Sequence, residues 1–443
     1  MEPLTILTLI RMKLKKCLTL LLLSGACSVL SASDTLWMST DQAVEYAMSH
    51  NLTLRNARLE MDAADRKILE TLATGLPQID GNLNFQHTLS EIPTVNFDGN
   101  EITLGVKNNV VGTGQLGQLI FNGSYIVGLQ ASKVYKSLSV VSSEQQEIEV
   151  KQAVIQSYYT ALMAMQQVEI LSENLALMNT TLHEITRMYE QGLIEKISVS
   201  QMEVNRNLLE TEYTSSLRQR DLTLRLLKYA MGMPLDTPLR LSGSLDFALA
   251  ALPAEYLQEV SFDPLAHVIY RGAEVQVKLA SLQKKLEMSS YLPSIQGFIN
   301  YQYNFTLPQF SFVTPQTWIA GATLSVPLFS SGMRRSKVAQ AKISLEQAKN
   351  SQQLALQGLY LEFEQSHEAF RTAYDRYQVQ KDNIQIAKEV LSQYNRKYVL
   401  GMATSTELTQ ANNDYLKVVS SFLTAEIELL NTKVSMDKVL SKL

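Results

Sequence analysis

Leu76-Pro-Gln-Ile-Asp-Gly-Asn-Leu-Asn-Phe85 and Leu292-Pro-Ser-Ile-Gln-Gly-Phe-Ile-Asn-Tyr301 are two copies of one segment, 216 residues apart. In each copy the proline forbids continuation of a preceding helix, and alternation of period two follows it. The first copy sets Ile79, Gly81, Leu83 and Phe85 against Asp80, Asn82, Asn84 and Gln86. The second sets Ile295, Gly297, Ile299, Tyr301, Tyr303 and Phe305 against Gln296, Asn300, Gln302 and Asn304. These are strands with one oily and one wet face. Return strands are expected through Ile102, Leu104, Val106 and Val110, and through Trp318, Ala320, Ala322, Leu324 and Val326. About ten alternating residues suffice for a tilted strand to cross a bilayer; a soluble hairpin packed on a helix would show the same alternation.

Further along, Ile120-Phe121 falls on Leu328-Phe329 at a shift of 208, and Tyr189-x-x-Gly192 falls on Tyr398-x-x-Gly401 at 209. The chain is a duplication. A shift nearly constant over so long a stretch is what one continuous helix requires. Residues 124–191 and 333–400 contain no proline. Leu171, Leu175, Met178, Leu182, Ile185 and Tyr189 recur at heptad spacing, as do Phe363, Phe370, Tyr374, Tyr377, Ile384, Ala387, Leu391, Tyr394 and Tyr398. Each helix would be about 100 Å long at ~1.5 Å per residue, with a seam for a partner helix. Shorter helices are expected over 40–74, with Thr40 as N-cap, and from Asp263-Pro264. After Gly192 and Gly401, with Ser198 and Thr404 as candidate caps, helices run to about Ala230 and Ser441. Both glycines then sit at hairpin tips farthest from the strands.

The basic stretch Arg11, Lys13, Lys15, Lys16, the apolar run Leu18–Leu23 and the small residues up to Ser33 form a secretory signal peptide over residues 1–33. Cleavage before Cys27 would instead leave a site of possible lipidation; otherwise Cys27 is discarded with the signal. Removing residues 1–33, with four basic side chains and one acid, takes the net charge from −4 to about −7. No other stretch reaches the ~18 apolar residues of a membrane helix, so entry into a bilayer must use strands.

With 19% charged residues and an acidic balance, the chain is neither disordered nor a nucleic-acid-binding protein. Its two cysteines are Cys17 and Cys27, and its five histidines are scattered singly, so no metal site, thiol nucleophile or cofactor is expected. Gly112-Thr-Gly114-Gln-Leu-Gly117 spells a dinucleotide fingerprint without the βαβ context it needs. Glycines on a strand account for it better. No constellation of catalytic residues emerges, and the chain is not expected to be an enzyme.

The expected fold is mostly α with membrane β. The divisions are 1–33 signal peptide, 34–232 first repeat (helix, two strands, long helix, helix), 233–263 an equatorial linker rich in Pro and Leu, and 264–443 second repeat. Four strands cannot close a barrel, and an open edge is prohibitive in lipid, so several copies must share one sheet. An eight-stranded barrel is filled by its own side chains, so a wide conduit argues for three copies or more.

Asp41-Gln-Ala-Val-Glu-Tyr-Ala, His50-Asn51-Leu-Thr-Leu-Arg-Asn-Ala-Arg58, the Leu-Pro-x-Ile-x-Gly strand starts, Val326-Pro-Leu-Phe329 with Gly332, and the duplicated Tyr-x-x-Gly tips together carry a family pattern. By their order and spacing the chain resembles the outer-membrane efflux proteins, the TolC-like channels, across essentially its whole length after the signal. The resemblance implies a homotrimer in the bacterial outer membrane: duplicated helical hairpins form a periplasmic α-barrel, and four strands per chain join a twelve-stranded β-barrel. Such a channel would conduct substrate from an inner-membrane pump and a periplasmic adaptor. It implies adaptor contact at Gly192, Gly401 and Tyr189, and a periplasmic gate at Tyr398, Glu407 and Gln410, where Gln410 stands at the family's second acid position. Tyr301 and Trp318 would lie at the lipid interface, with Asn300 and Gln302 toward the lumen. The tunnel should be acidic or polar, and cation-preferring. A packing role for Tyr398 and a helix-start role for Glu407 are the plainer alternatives, and an exported coiled-coil adaptor or structural periplasmic protein is the competing function.

Overall fold

The computed structural model describes residues 36–443 apart from 98–99, 104, 259 and 307–313. The signal segment, Cys27 and Leu104 lie outside the described residues. Each repeat opens on the strand-side helices. In the first, α1 (Thr40–His50) and α2 (Leu52–Ala73) are separate. The N-cap of α1 is Ser39 rather than Thr40, because Ser39 and Gln42 form a reciprocal capping box. The single helix expected over 40–74 breaks at Asn51, whose side-chain oxygen accepts from the N–H groups of Thr53 and Leu54. Its amide nitrogen donates to the Ala230 carbonyl at 2.7 Å, tying the break to the far end of the repeat.

Past Pro77 come β2 (Gln78–His87), a small hairpin β3 (Thr94–Phe97) and β4 (Asn100–Thr103), and β5 (Asn108–Asn122). The first return strand therefore begins later than expected. Ile102 belongs to the separate hairpin, and the glycine-rich segment 112–117 is itself the middle of β5. Then follow α3 (Gly123–Glu190) and α4 (Lys196–Met231). Ser198 does not cap α4; Glu195 precedes it without a side-chain cap bond.

Residues 233–263 hold β6 (Leu239–Leu241), parallel to β1 (Leu36–Met38), then α5 (Leu245–Ala250) and a 3-10 turn at Ala254–Leu257. The second repeat has α6 (Val268–Ser289), β7 (Ser294–Asn304), β8 (Gln316–Ser325), α7 (Met333–Val399) and α8 (Ser405–Val439). Helix α6 starts later than Asp263-Pro264, because His267 is its N-cap. At 68 and 67 residues, α3 and α7 are each about 100 Å long.

Two cores hold these rods. Midway along them, Met38, Leu54, Tyr158, Leu227, Met231, Leu245, Tyr256, Phe370 and Leu429 close one cluster. There the Tyr158 hydroxyl donates to the carbonyls of Met38 and Ser242, and the Tyr256 hydroxyl to Asp437 at 2.6 Å. The segment between the repeats is thus fastened to the helices by buried aromatic residues with satisfied polar tips. Nearer the hairpin ends a second cluster joins Leu171, Met178, Ile185, Met202, Leu391, Tyr398 and Leu408.

The duplication is visible in the joints. His267 stands where Asn51 does, 216 residues on. It caps α6 through Nδ1, accepting from Ile269 N–H. Both repeats end on a left-handed residue, Gly232 and Ser441.

Candidate functional sites at the strand sheet and the hairpin ends

β2, β5, β7 and β8 form one sheet in that order, every neighbour antiparallel, with one register shift between Leu119 and Phe121. Register sorts the side chains by face. One face carries the rows Ile79, Leu116, Ile299, Ala320 and Gly81, Gly114, Tyr301, Trp318, and beyond them Leu83, Gly112, Tyr303 and the polar Gln316. The other carries Asp80, Gln115, Asn300, Ile319 and Asn82, Thr113, Gln302, Thr317, then Asn84, Val111 and Asn304. Tyr301 and Trp318 pair directly across β7 and β8, rings 4.6 Å apart, on the apolar face; Asn300 and Gln302 are on the polar one. Ile79, Leu83, Phe85 and Trp318 are largely exposed in the single chain. Among the described residues, no partner strand covers the outer edges of β2 and β8.

At the opposite end the two tips share a backbone solution. Gly192 and Gly401 have φ of +73° and +71°. Their N–H groups donate to Tyr189 and Tyr398, and the next N–H groups donate to Met188 and Lys397. This paired closure needs a left-handed residue, which glycine adopts without a Cβ penalty. The neighbouring tyrosines diverge. Tyr189 is exposed, whereas Tyr398 is 7% exposed and packed in the second core. The Tyr398 hydroxyl is buried, has no hydrogen-bond partner among the described residues, and has its pKa pushed up by that burial.

Thr404 caps α8, as the sequence suggested, in a capping box with Glu407. The Glu407 carboxylate accepts from the Thr404 N–H at 2.7 Å and from its hydroxyl at 2.9 Å, which hold it below the ordinary carboxylate range. Its side chain is exposed. Gln410, one turn on, donates to Asp414 at 3.0 Å. Glu407 and Gln410 are thus held on α8, and Asp414 is a further acid on this face that the sequence reading passed over.

Polar bonds stitch the two hairpins together. Asn174 donates to Asn412 at 2.9 Å with both residues buried, Thr181 to Asn395, Asn205 to Thr409, and Ser405 to Gln201. The buried stripe of α3 is Leu171, Asn174, Met178, Thr181, Ile185, while Leu175 and Leu182 are only partly buried. The spacing of 3 and 4 was present in the sequence with Asn174 and Thr181 in it; counting only apolar residues hid them. A cleft of about 410 Å³ lies beside this seam, lined by Ile197, Gln201, Val204, Asn205 and Thr409 among others.

Long paired helices at one end and a two-edged amphipathic sheet at the other define a class of protein that crosses a membrane with strands and completes its sheet with other copies. No helix among the described residues is long and apolar enough to cross. The chain belongs to the outer membrane efflux protein family, whose model matches residues 43–233 and 271–441. It is an outer-membrane channel protein whose helices extend into the periplasm, in a family of channels rather than enzymes. No individual curated protein sequence matches it. In fold it is similar to CusC (15% identity, TM-score 0.72, 90% of this chain and 91% of that one). The Campylobacter jejuni CmeC outer membrane channel (18%, 0.71, 90% and 85%) and the open state of the Neisseria gonorrhoeae MtrE channel (17%, 0.70, 90% and 88%) are similar to the same degree.

Proposed function

We propose that three copies of this chain form the exit duct of a tripartite efflux or secretion system, with β8 of each copy pairing to β2 of the next to close twelve strands. The observation that carries this is the sheet itself: two unpaired edges and one face that is apolar through its middle, with the polar His87, Asn108, Gln118 and Gln316 toward its two ends, which lipid tolerates only in a closed barrel. The apolar face then meets lipid, with Tyr301 and Trp318 as interfacial aromatics, and the polar face lines the lumen. Residues 1–33 direct export, the two repeats 34–232 and 264–443 build the wall, and 233–263 form the equatorial belt. A periplasmic adaptor docks at the tips around Gly192, Gly401 and Tyr189, beyond which Leu193, Leu400 and Met402 are exposed, and an inner-membrane pump delivers substrate. Tyr398, Glu407 and Gln410 gate the periplasmic end; the buried Tyr398 hydroxyl, without a hydrogen-bond partner among the described residues, becomes a free donor when the two hairpins around it separate.

The test is native mass spectrometry in mild detergent with planar-bilayer recording on the same sample. A trimer with discrete conductance is expected. A stable monomer, or partition wholly into the soluble periplasmic fraction, would overturn the reading in favour of a barrel-free periplasmic protein.

A further inference from the structure

We infer that Asp80 forms a three-fold carboxylate ring that sets ion preference where the helical tunnel enters the strand barrel. The inference rests on the trimeric channel proposed above. Four strands supply 46 residues, and among them Asp80 is the one aspartate, glutamate, lysine or arginine. Register places it on the polar face, in the row Asp80, Gln115, Asn300, whose other members are uncharged. As the third residue of β2, four residues beyond the exposed Leu76 and just past the proline that ends the helical part, it sits at the helix-proximal end of the sheet.

Asp80 has no salt-bridge partner among the described residues. Arg334, at the same end of the sheet, is engaged by the Pro327 carbonyl at 3.0 Å and lies over the Tyr291 ring. Asn300 Oδ1, on the same face and in the same row, is buried and accepts no hydrogen bond. An acceptor without a donor adds to the negative potential of that row.

A ring of like charge in a neutral, amide-lined pore concentrates counter-ions and repels co-ions, whatever larger cargo the duct passes. The ligand class is therefore small cations, and the cost falls on anionic solutes entering the barrel. Exposed charges act over ~10 Å at 0.1 M salt and ~30 Å at 0.01 M, so the effect is small in concentrated salt and grows on dilution.

The experiment is reversal potential under a potassium chloride gradient for purified trimers of wild type and of Asp80→Asn, Asp80→Glu and Asp80→Lys. Expected is a cation preference kept by Glu, lowered by about two- to fourfold in Asn near 0.1 M salt, moved toward chloride in Lys, and larger differences at 0.01 M. As a facing test, Asp80→Cys should react with a membrane-impermeant charged thiol reagent and Leu83→Cys should not. Conducting Asn and Lys variants that keep the wild-type reversal potential, or an Asp80→Cys closed to the charged reagent, would overturn the ring while leaving the channel intact. Wild-type protein that never conducts would overturn the channel reading and the ring with it.

Discussion

Glu426 lies on α8 in the middle of the molecule, 0% exposed, and neither of its carboxylate oxygens has a hydrogen-bond partner among the described residues. Burial, helped by the like charge of Asp246 on α5, pushes its pKa from 4.5 up to about 8. At pH 7 the folded chain therefore keeps a proton that the unfolded chain has released. At ~1.4 kcal/mol per unit over about 2.5 units, that difference costs the folded state on the order of 3 kcal/mol. The sign follows from proton counts. Between pH 4.5 and about 8 the native state binds more protons than the unfolded one, so stability is full below 4.5 and falls as pH rises through that window. Glu426→Gln keeps the shape and removes the titration. Thermal unfolding followed from pH 5 to 8.5 should show the variant gaining on the wild type as pH rises, with most of the gain above pH 6. Asp246→Asn should recover a smaller share, since it removes only the second cause. Parallel pH profiles for wild type and Glu426→Gln would refute the reasoning, because they would mean that the carboxyl finds a partner or water in the assembled protein.

Three further outcomes follow from the joints. Gly232→Ala combines a φ of +73° with a Cβ 2.7 Å from the His50 carbonyl oxygen, whereas Gly401→Ala meets nothing within 4 Å. The tip variant should lose about 1–2 kcal/mol and the Gly232 variant distinctly more in denaturant titrations. Burial holds His267 below its ordinary pKa of 6.5 and its Nδ1 accepts the α6 cap bond, so stability is kept above that pH and lost as pH falls below it; a His267→Asn chain should show a flatter acid limb in the same scans. Asn412→Ala strands the buried Asn174 amide and should cost about 1–3 kcal/mol, while Asn174→Ala with Asn412→Ala should cost less than the two single changes summed. A double-mutant cycle by calorimetry reads that coupling.

Much of the architecture was legible because it is periodic. Two Leu-Pro stops, period-two alternation and proline-free heptads oblige strands, breaks and long rods whatever surrounds them, and a duplicated shift obliges the same order twice. The sorting of Tyr301 and Trp318 from Asn300 and Gln302 needed only alternation. Less was visible of the joints. The break at Asn51 was not anticipated in a helix expected over 40–74, and that Asn51 also binds Ala230, 179 residues away, depends on where α4 ends in space. Tyr189 and Tyr398 are identical in motif, and only packing of the second hairpin against the first buries one and exposes the other. Likewise Asp80 was one polar letter among amides until strand register put it in a row whose other members, Gln115, Asn300 and Ile319, are uncharged. Local sequence determined the elements, because their signals lie within a few residues of one another; which faces meet, which carboxyl is desolvated and which hydroxyl is orphaned were decided by long-range packing, where the partners are hundreds of residues apart.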